Sequence, residues 1–137
     1  MVFVDSNIWC YYFDGSADEH EEVCEKVDEL IEGSRDIHLN TVVLMEVAHF
    51  LVKNLGGKEG TEKMGKMLEY NFNVTGLDFP MTRRSLRILE EKHQTGIGGR
   101  DSTVIASMNE AGVETLVTHD QAFKKIDSIG VEDPVTE

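Results

Sequence analysis

The sequence predicts an α/β fold in which helices cover both faces of a parallel β-sheet. Short apolar and β-branched runs alternate with amphipathic helices along the chain, which is the pattern of a sheet joined by crossover helices. Apolar residues make up 40% and charged residues 28%, as in globular proteins. The length of 137 residues fits one domain, which we place at 1–137.

Five elements are predicted in the first part of the chain. The strands are Val2–Val4 and Ile37–Asn40, and the helices are 8–13, 18–32 and 42–53. The strands are short β-branched or apolar runs, and the helix over 18–32 has apolar positions at the 3.6-residue period. Thr41 is predicted to cap the helix over 42–53. That helix is apolar nearly all round, so we expect it to be buried.

Seven elements are predicted in the second part. The helices are 61–70, 81–93, 101–111 and 121–126, and the strands are 73–77, Thr115–Val117 and Gly130–Glu132, the last at an edge. Pro80 suits the first turn of the helix over 81–93. A glycine-rich loop over 95–99 precedes the helix over 101–111. Ligands of such folds bind beyond the carboxyl ends of the strands.

Cysteine content, hydropathy and charge exclude several classes of protein. Two cysteines are too few for a disulfide scaffold or a zinc framework. No signal peptide or membrane-spanning run is visible, so we expect a cytoplasmic protein with no membrane partner. The net charge of −13 argues against loose electrostatic binding of nucleic acid. It leaves a nucleic-acid enzyme open, because a bound metal ion changes the local charge.

Four acidic residues occupy positions where a surface role is awkward. Asp5 and Asp120 follow predicted strands, and Asp101 opens a helix on its core-facing stripe. Each of these three also suits a helix N-cap, and position alone leaves both interpretations open. Glu46 shares a polar stripe with His49 and Lys53 on the apolar helix, and this stripe either is solvated or lines a cavity.

Taken together, the four acids indicate a metal site. All can converge on one edge of an α/β sheet, where their charges repel and burial penalises each of them. A hard divalent cation with oxygen ligands relieves that repulsion, which favours Mg²⁺ or Mn²⁺. The histidines are too scattered to indicate zinc.

At these residues the sequence resembles the PIN-domain nucleases, especially the VapC-like toxins. Four segments carry the resemblance: VFVDSN at 2–7, TVVLMEV at 41–47, GGRDSTVIA at 98–106 and LVTHDQAF at 116–123. Each motif is weak alone, but their order and spacing are fairly specific. The resemblance implies a three-layer α/β/α sandwich with a parallel sheet and Mg²⁺- or Mn²⁺-dependent hydrolysis of RNA phosphodiester bonds.

The resemblance also implies roles for individual residues. The catalytic and metal-binding quartet would be Asp5, Glu46, Asp101 and Asp120, with Asp5 and Asp101 as direct ligands. Asn7 and Thr118 would orient those ligands or the attacking water. The candidates for RNA contact near the mouth of the site are Arg100, His119 and Lys53. The chain departs from the usual family pattern at Gly98, Gly99 and Arg100, and again at His119. These departures affect the contacts expected with the substrate.

The short chain looks like the toxin of a type II toxin–antitoxin pair, which would bind RNA and a small cognate antitoxin. Relatives commonly form homodimers, and the helices near 57–94 offer apolar surface for this. Two alternatives stay open: a PIN-fold RNA-processing nuclease that is not a toxin, and a non-cleaving module that binds RNA or protein. A phosphotransferase of the haloacid-dehalogenase type is disfavoured, because that pattern requires a second Asp where Asn7 stands.

Overall fold

The structure is a computed structural model that describes residues 1–136. Its strands are β1 (Val2–Val4), β2 (Ile37–Asn40), β3 (Asn73–Thr75), β4 (Thr115–Val117) and β5 (Gly130–Glu132). Its α-helices are α1 (Ser6–Phe13), α2 (His20–Glu32), α3 (Thr41–Leu55), α4 (Gly57–Met67), α5 (Phe79–Lys92) and α6 (Gly99–Ala111). Two short 3₁₀ helices span His93–Thr95 and Gln121–Lys125.

The five strands form one parallel sheet in the order β3-β2-β1-β4-β5. This confirms the predicted α/β class with a parallel sheet between helices. From β1 the chain moves outward through β2 to β3, and then it crosses to the other side of β1 to form β4. The strand order therefore reverses between β1 and β4, which is where open parallel sheets bind ligands.

The core is centred on β1. Val2, Phe3 and Val4 are all buried, as expected of a central parallel strand that is covered on both faces. Trp9 of α1 and Phe123 of the second 3₁₀ helix are fully buried against this core. None of the helices between residues 1 and 136 has the length and apolarity that crossing a membrane requires.

Several helices begin at other residues than predicted. The cap of α3 is Asn40 rather than Thr41, because Oδ1 of Asn40 accepts a hydrogen bond from the Val43 amide at 2.7 Å. Helix α6 begins at Gly99, so Asp101 lies inside its first turn. Helix α2 begins two residues later than expected, and α4 spans Gly57–Met67 instead of 61–70.

The expectation that α3 is buried all round was wrong. Its fully buried side chains are Val43, Val47 and Leu51, which form a single stripe at four-residue spacing. Met45, on another face, is 69% exposed. Apolar composition alone does not show which face of a helix meets the core, and here α3 packs with one stripe and leaves an apolar face open to solvent.

Candidate active site

The candidate site lies where the strand order reverses. Asp5 directly follows β1, and Thr118 directly follows the neighbouring strand β4. The Asp5 amide donates to the carbonyl oxygen of Val117 at 3.0 Å, which continues the strand pairing up to the acid itself. The register of the two strands thus places both side chains at the same carboxyl edge of the sheet.

Asp5 is a buried carboxylate that accepts three hydrogen bonds. Its Oδ1 accepts from the Ser6 amide at 2.8 Å. Its Oδ2 accepts from Thr118 Oγ1 at 2.8 Å and from Asn7 Nδ2 at 3.1 Å. Only 5% of the residue is exposed. It also serves as the N-cap of α1, so the capping interpretation and a role at the site are both compatible with its position.

Asn7 and Thr118 join the two strand ends around this carboxylate. Asn7 Nδ2 donates to Thr118 Oγ1 at 3.1 Å, and Asn7 Oδ1 accepts from the His119 amide at 3.2 Å. Thr118 Oγ1 also accepts from the Asp120 amide at 3.0 Å. Every polar atom of the Asn7 side chain therefore has a partner, and the orientation of Asp5 is set from two directions.

Asp120 and Asp101 each use one carboxylate oxygen at a helix start. Asp120 Oδ1 accepts from the Ala122 amide at 3.0 Å and caps the second 3₁₀ helix. Asp101 Oδ2 accepts from the Gly98 amide at 3.1 Å in the first turn of α6. Both residues are partly exposed, and each has a second oxygen that this contact does not use.

Glu46 projects from α3 and pairs with a cation of α6. Its Oε2 accepts from Arg100 Nη1 at 2.8 Å. The Glu46 side chain is 23% exposed, whereas that of Arg100 is 75% exposed. This pair connects the helix that carries the second acid to the helix that carries the third.

The four acids form one electrostatic unit. Burial raises the pKa of Asp5 to about 6, and the charges of Asp101 and Glu46 add to this rise, while hydrogen bonds from Thr118 and Ser6 oppose it. Burial also raises the pKa of Glu46; Arg100 opposes this and Asp101 adds to it. The pKa of Asp101 is raised by burial and by the charge of Asp120. The structure thus brings the predicted quartet within electrostatic reach of one another.

The donors fit a hard divalent cation by their chemistry. All four are carboxylates, and Mg²⁺ and Mn²⁺ prefer oxygen ligands. Burial is the main cause of these raised pKa values, and a divalent charge would relieve the mutual repulsion that adds to it. Across residues 1–136, however, no three His, Cys, Asp or Glu side chains lie close enough together to hold an ion as they stand.

A cleft of about 580 Å³ opens beside Glu46, whereas Asp5, Asp101 and Asp120 are not among its lining residues. It is lined by Ser6, Asn7, Cys10, Tyr11, Val42, Met45, Glu46, His49 and Arg100. The predicted polar stripe of α3 therefore does line a cavity at Glu46 and His49. Burial raises the pKa of the Cys10 thiol to about 12, with the charges of Glu46 and Asp5 adding to it, so this thiol is no nucleophile at neutral pH.

The family model described as PIN domain matches residues 2–129. The chain belongs to the PIN domain family. No curated protein sequence matches it significantly. Solved structures match this chain at low sequence identity, and that likeness shows a shared fold.

Three solved structures illustrate this likeness. VapC20 of Mycobacterium tuberculosis, a Sarcin-Ricin loop cleaving toxin, has a TM-score of 0.79 at 16% identity over 93% of this chain and 95% of that one. VapBC2 from Rickettsia felis, bound to a promoter DNA fragment, has a TM-score of 0.74 at 20% identity over 97% and 98%. FitAcB from Neisseria gonorrhoeae has a TM-score of 0.74 at 20% identity over 98% of each chain.

The three candidates for RNA contact occupy different places in this PIN domain. Arg100 lines the cleft. His119 lies between Thr118 and Asp120, its ring packs against Tyr11, and its Nδ1 lies 2.9 Å from a carboxylate oxygen of Asp133. Lys53 is exposed on α3, two helical turns beyond Glu46, and is not among the residues that line the cleft.

Sequence reasoning missed several residues of the site in this PIN domain. Ser6 and Tyr11 line the cleft because α1 starts directly after Asp5. Their closeness to Asp5 in the sequence could have indicated that they belong to the site. Asp133 lies 14 residues from His119 in a segment after β5, and nothing in the local sequence points to their contact.

Proposed function

We propose that this PIN domain is a Mg²⁺- or Mn²⁺-dependent endoribonuclease and the toxin of a type II toxin–antitoxin pair. The observation that carries the nuclease proposal is the buried Asp5 carboxylate, which is oriented by Asn7 and Thr118 and coupled in charge to Asp101 and Glu46. Membership of the PIN domain family supports the same chemistry. The whole chain is one such domain in this proposal.

In this mechanism Asp5 and Asp101 would hold the divalent ion. When bound there, the ion would lower the pKa of a water and neutralise charge on the phosphate. Asn7 and Thr118 keep Asp5 in the orientation that binding requires. Of Glu46 and Asp120, which are both partly exposed, one would complete the metal ligands and the other would position the attacking water and accept its proton.

The substrate approaches through the cleft beside Glu46. The lining of this cleft includes the exposed cation Arg100 and the ring of Tyr11. The His119 ring packs against Tyr11 and so lies near the cleft. With a net charge of −13, the protein has few cations to attract RNA, so we expect modest affinity without the metal ion. Arg100, His119 and Lys53 are our candidates for contacts with the RNA backbone.

The toxin assignment and its partners rest on the likeness to VapC-type structures. Several of the similar solved structures are toxin–antitoxin complexes, so we propose a small cognate antitoxin as partner. We also propose a homodimer. Exposed apolar side chains at Leu77, Phe79 and Leu86 lie within the region 57–94 that the sequence indicated for this contact. The proposed location is the cytoplasm, where a messenger or ribosomal RNA target is available.

The decisive experiment is cleavage of a fluorescently labelled RNA with added Mg²⁺ or Mn²⁺. We expect the wild type to cut, chelation with EDTA to stop cleavage, and Asp5→Asn to lower the rate by at least about 100-fold. Asp18→Asn, which changes an exposed acid in the turn between α1 and α2, is the matched control and should cut like the wild type. Equal cleavage by the wild type and Asp5→Asn would favour a non-cleaving binding module.

A growth assay tests the toxin role separately. Expression of the wild type in a bacterial host should arrest growth, and expression of Asp5→Asn should not. If the protein cuts RNA in vitro but has no effect on growth at matched expression, the alternative of an RNA-processing nuclease is favoured.

A further inference from the structure

The Arg100–Glu46 pair connects two helices across the mouth of the site. Arg100 lies in the first turn of α6 and Glu46 lies in α3, 54 residues earlier, with 2.8 Å between Nη1 and Oε2. Three-quarters of the Arg100 side chain is exposed. An ion pair with one partner so exposed contributes at most about 1 kcal/mol to stability. The pair is therefore a weak tether between the helices, and its main effect is on the charge of the site.

Arg100 is the cation that offsets the charge of Glu46. Burial and the charge of Asp101 both disfavour the ionised form of Glu46, and Arg100 favours it. The Arg100 guanidinium is thus hydrogen-bonded to the Glu46 carboxylate, which the proposed mechanism needs to bind water or the metal ion. A carboxylate oxygen that accepts a hydrogen bond from guanidinium is a poorer ligand for a metal ion, because both draw on the same lone pairs.

The Arg100 side chain has room to move, because three-quarters of it is exposed and the two residues before it, Gly98 and Gly99, have no side chains. Arg100 also lines the cleft through which the substrate approaches. Guanidinium binds phosphate as well as carboxylate in a two-pronged geometry, so the same side chain suits both partners.

We propose that Arg100 is an exchangeable counter-ion of the site, paired with Glu46 in the metal-free protein and transferred to the RNA phosphate when Glu46 is engaged with the metal ion. This inference rests on the proposed nuclease function. It has two consequences. Arg100 lowers the metal affinity of the free protein, and metal binding raises the affinity for RNA through Arg100.

The first consequence is tested by calorimetric titration of the RNA-free protein with Mn²⁺ alone. We expect Arg100→Gln to tighten Mn²⁺ binding by about threefold to fivefold, the equivalent of one partly exposed ion pair. Glu46→Gln removes the partner, so adding Arg100→Gln to it should change the affinity by less than about 1.5-fold. Lys58→Gln, which removes an exposed positive charge on α4 that does not line the cleft, is the control and should leave the affinity unchanged.

The outcomes of this cycle are distinct. An effect of Arg100→Gln that persists in the Glu46→Gln protein would show a diffuse charge effect and overturn the exchange. Equal affinities of the wild type and Arg100→Gln would overturn it too, while the proposed nuclease would stand. No Mn²⁺ binding by any of the four proteins would overturn the proposed function and the exchange with it.

The second consequence is tested with a fluorescent 2′-O-methyl oligoribonucleotide as RNA probe. Fluorescence anisotropy should show that Mn²⁺ tightens binding to the wild type more than to Arg100→Gln, by about threefold or more. The two proteins should bind the probe similarly without Mn²⁺, because Arg100 is then held by Glu46. A loss of affinity in Arg100→Gln that is the same with and without Mn²⁺ would overturn the exchange and make Arg100 a constant RNA contact.

Discussion

Asn7 and Thr118 are 111 residues apart in the sequence, yet Asn7 Nδ2 donates a hydrogen bond to Thr118 Oγ1 across 3.1 Å, and both side chains donate to the same oxygen of Asp5. The contact exists because β1 and β4 are neighbours in the sheet. The Thr118 hydroxyl donates once and accepts twice, the second time from the Asp120 amide. All hydrogen bonds that the Thr118 hydroxyl can make are therefore made to residues of the site.

We expect Thr118→Val to damage metal binding without unfolding the protein. The change leaves Asp5, Asn7 and the Asp120 amide each without one partner, at a cost of about 1–3 kcal/mol in the free energy of unfolding. Loss of such support to a ligand typically weakens metal affinity by about 10- to 100-fold. Urea denaturation and Mn²⁺ titration measure the two effects. Thr118→Ser keeps the hydroxyl and should retain the wild-type affinity; if Thr118→Val retains it as well, the hydroxyl does not orient Asp5.

The metal-free protein should become less stable as the pH rises from about 4 to about 6. Burial raises the pKa of Asp5 from its ordinary 3.8 to about 6, so in this range the folded state binds a proton that the unfolded state has lost. Above pH 6 the charged Asp5 costs up to about 3 kcal/mol. Urea denaturation in EDTA at pH 5 and pH 7.5 measures this difference, which should shrink in Asp5→Asn. An unchanged pH dependence in that variant would show that Asp5 is ionised in the fold at low cost.

Glu132 should act in the opposite sense. Hydrogen bonds from Arg35 and then Lys26 lower its pKa to about 2. Because the folded pKa lies below the ordinary 4.5, this contribution is complete above about pH 4.5 and disappears as the pH falls towards 2. The side chain is about a third exposed, so solvent screening reduces the contribution to about 1–2 kcal/mol.

The test of this ion pair compares Glu132→Gln with the wild type by urea denaturation at pH 7 and pH 3. The variant should be less stable at pH 7, and the difference should narrow at pH 3. Glu110→Gln is the matched control, since its pair with Arg84 is half exposed on both sides and should contribute less than about 0.5 kcal/mol. Equal losses of stability in Glu132→Gln and Glu110→Gln would show that solvent exposure does not determine how much each ion pair contributes.

Gly60→Ala should destabilise the packing of α4 on α3. An added Cβ would lie 2.7 Å from the Val52 backbone, which cannot move as a flexible side chain can. Overpacking of this kind costs about 1–3 kcal/mol. Gly65→Ala, in the same helix with no atom within 4 Å of its Cβ, should instead stabilise by up to about 1 kcal/mol through helix propensity. Chemical denaturation of both variants tests this, and a destabilised Gly65→Ala would contradict the assignment of the effect to the α3 contact.

Strands were predicted well where their residues carry a local signal. Val2–Val4, Ile37–Asn40, Thr115–Val117 and Gly130–Glu132 have the predicted bounds. Helix starts were predicted less well. Asn40 ends β2 and caps α3 at once, and its Nδ2 also donates to Thr103 and Ser107 of α6. The neighbouring threonine also suits an N-cap, although less well than asparagine, and the contact of Asn40 with α6 has no local signal in the sequence.

The sequence by itself determined the class of fold and the four acids, because alternating apolar runs and carboxylates at element ends are local patterns. Only the tertiary structure decided what surrounds those acids. The Arg100–Glu46 pair and the contact of His119 with Asp133 join residues from separate elements, and the apolar face of α3 is open because that helix packs with one stripe only. The distances between these residues depend on strand order and helix packing. Both arise from the burial of the whole core, so they cannot be predicted from a short stretch of sequence.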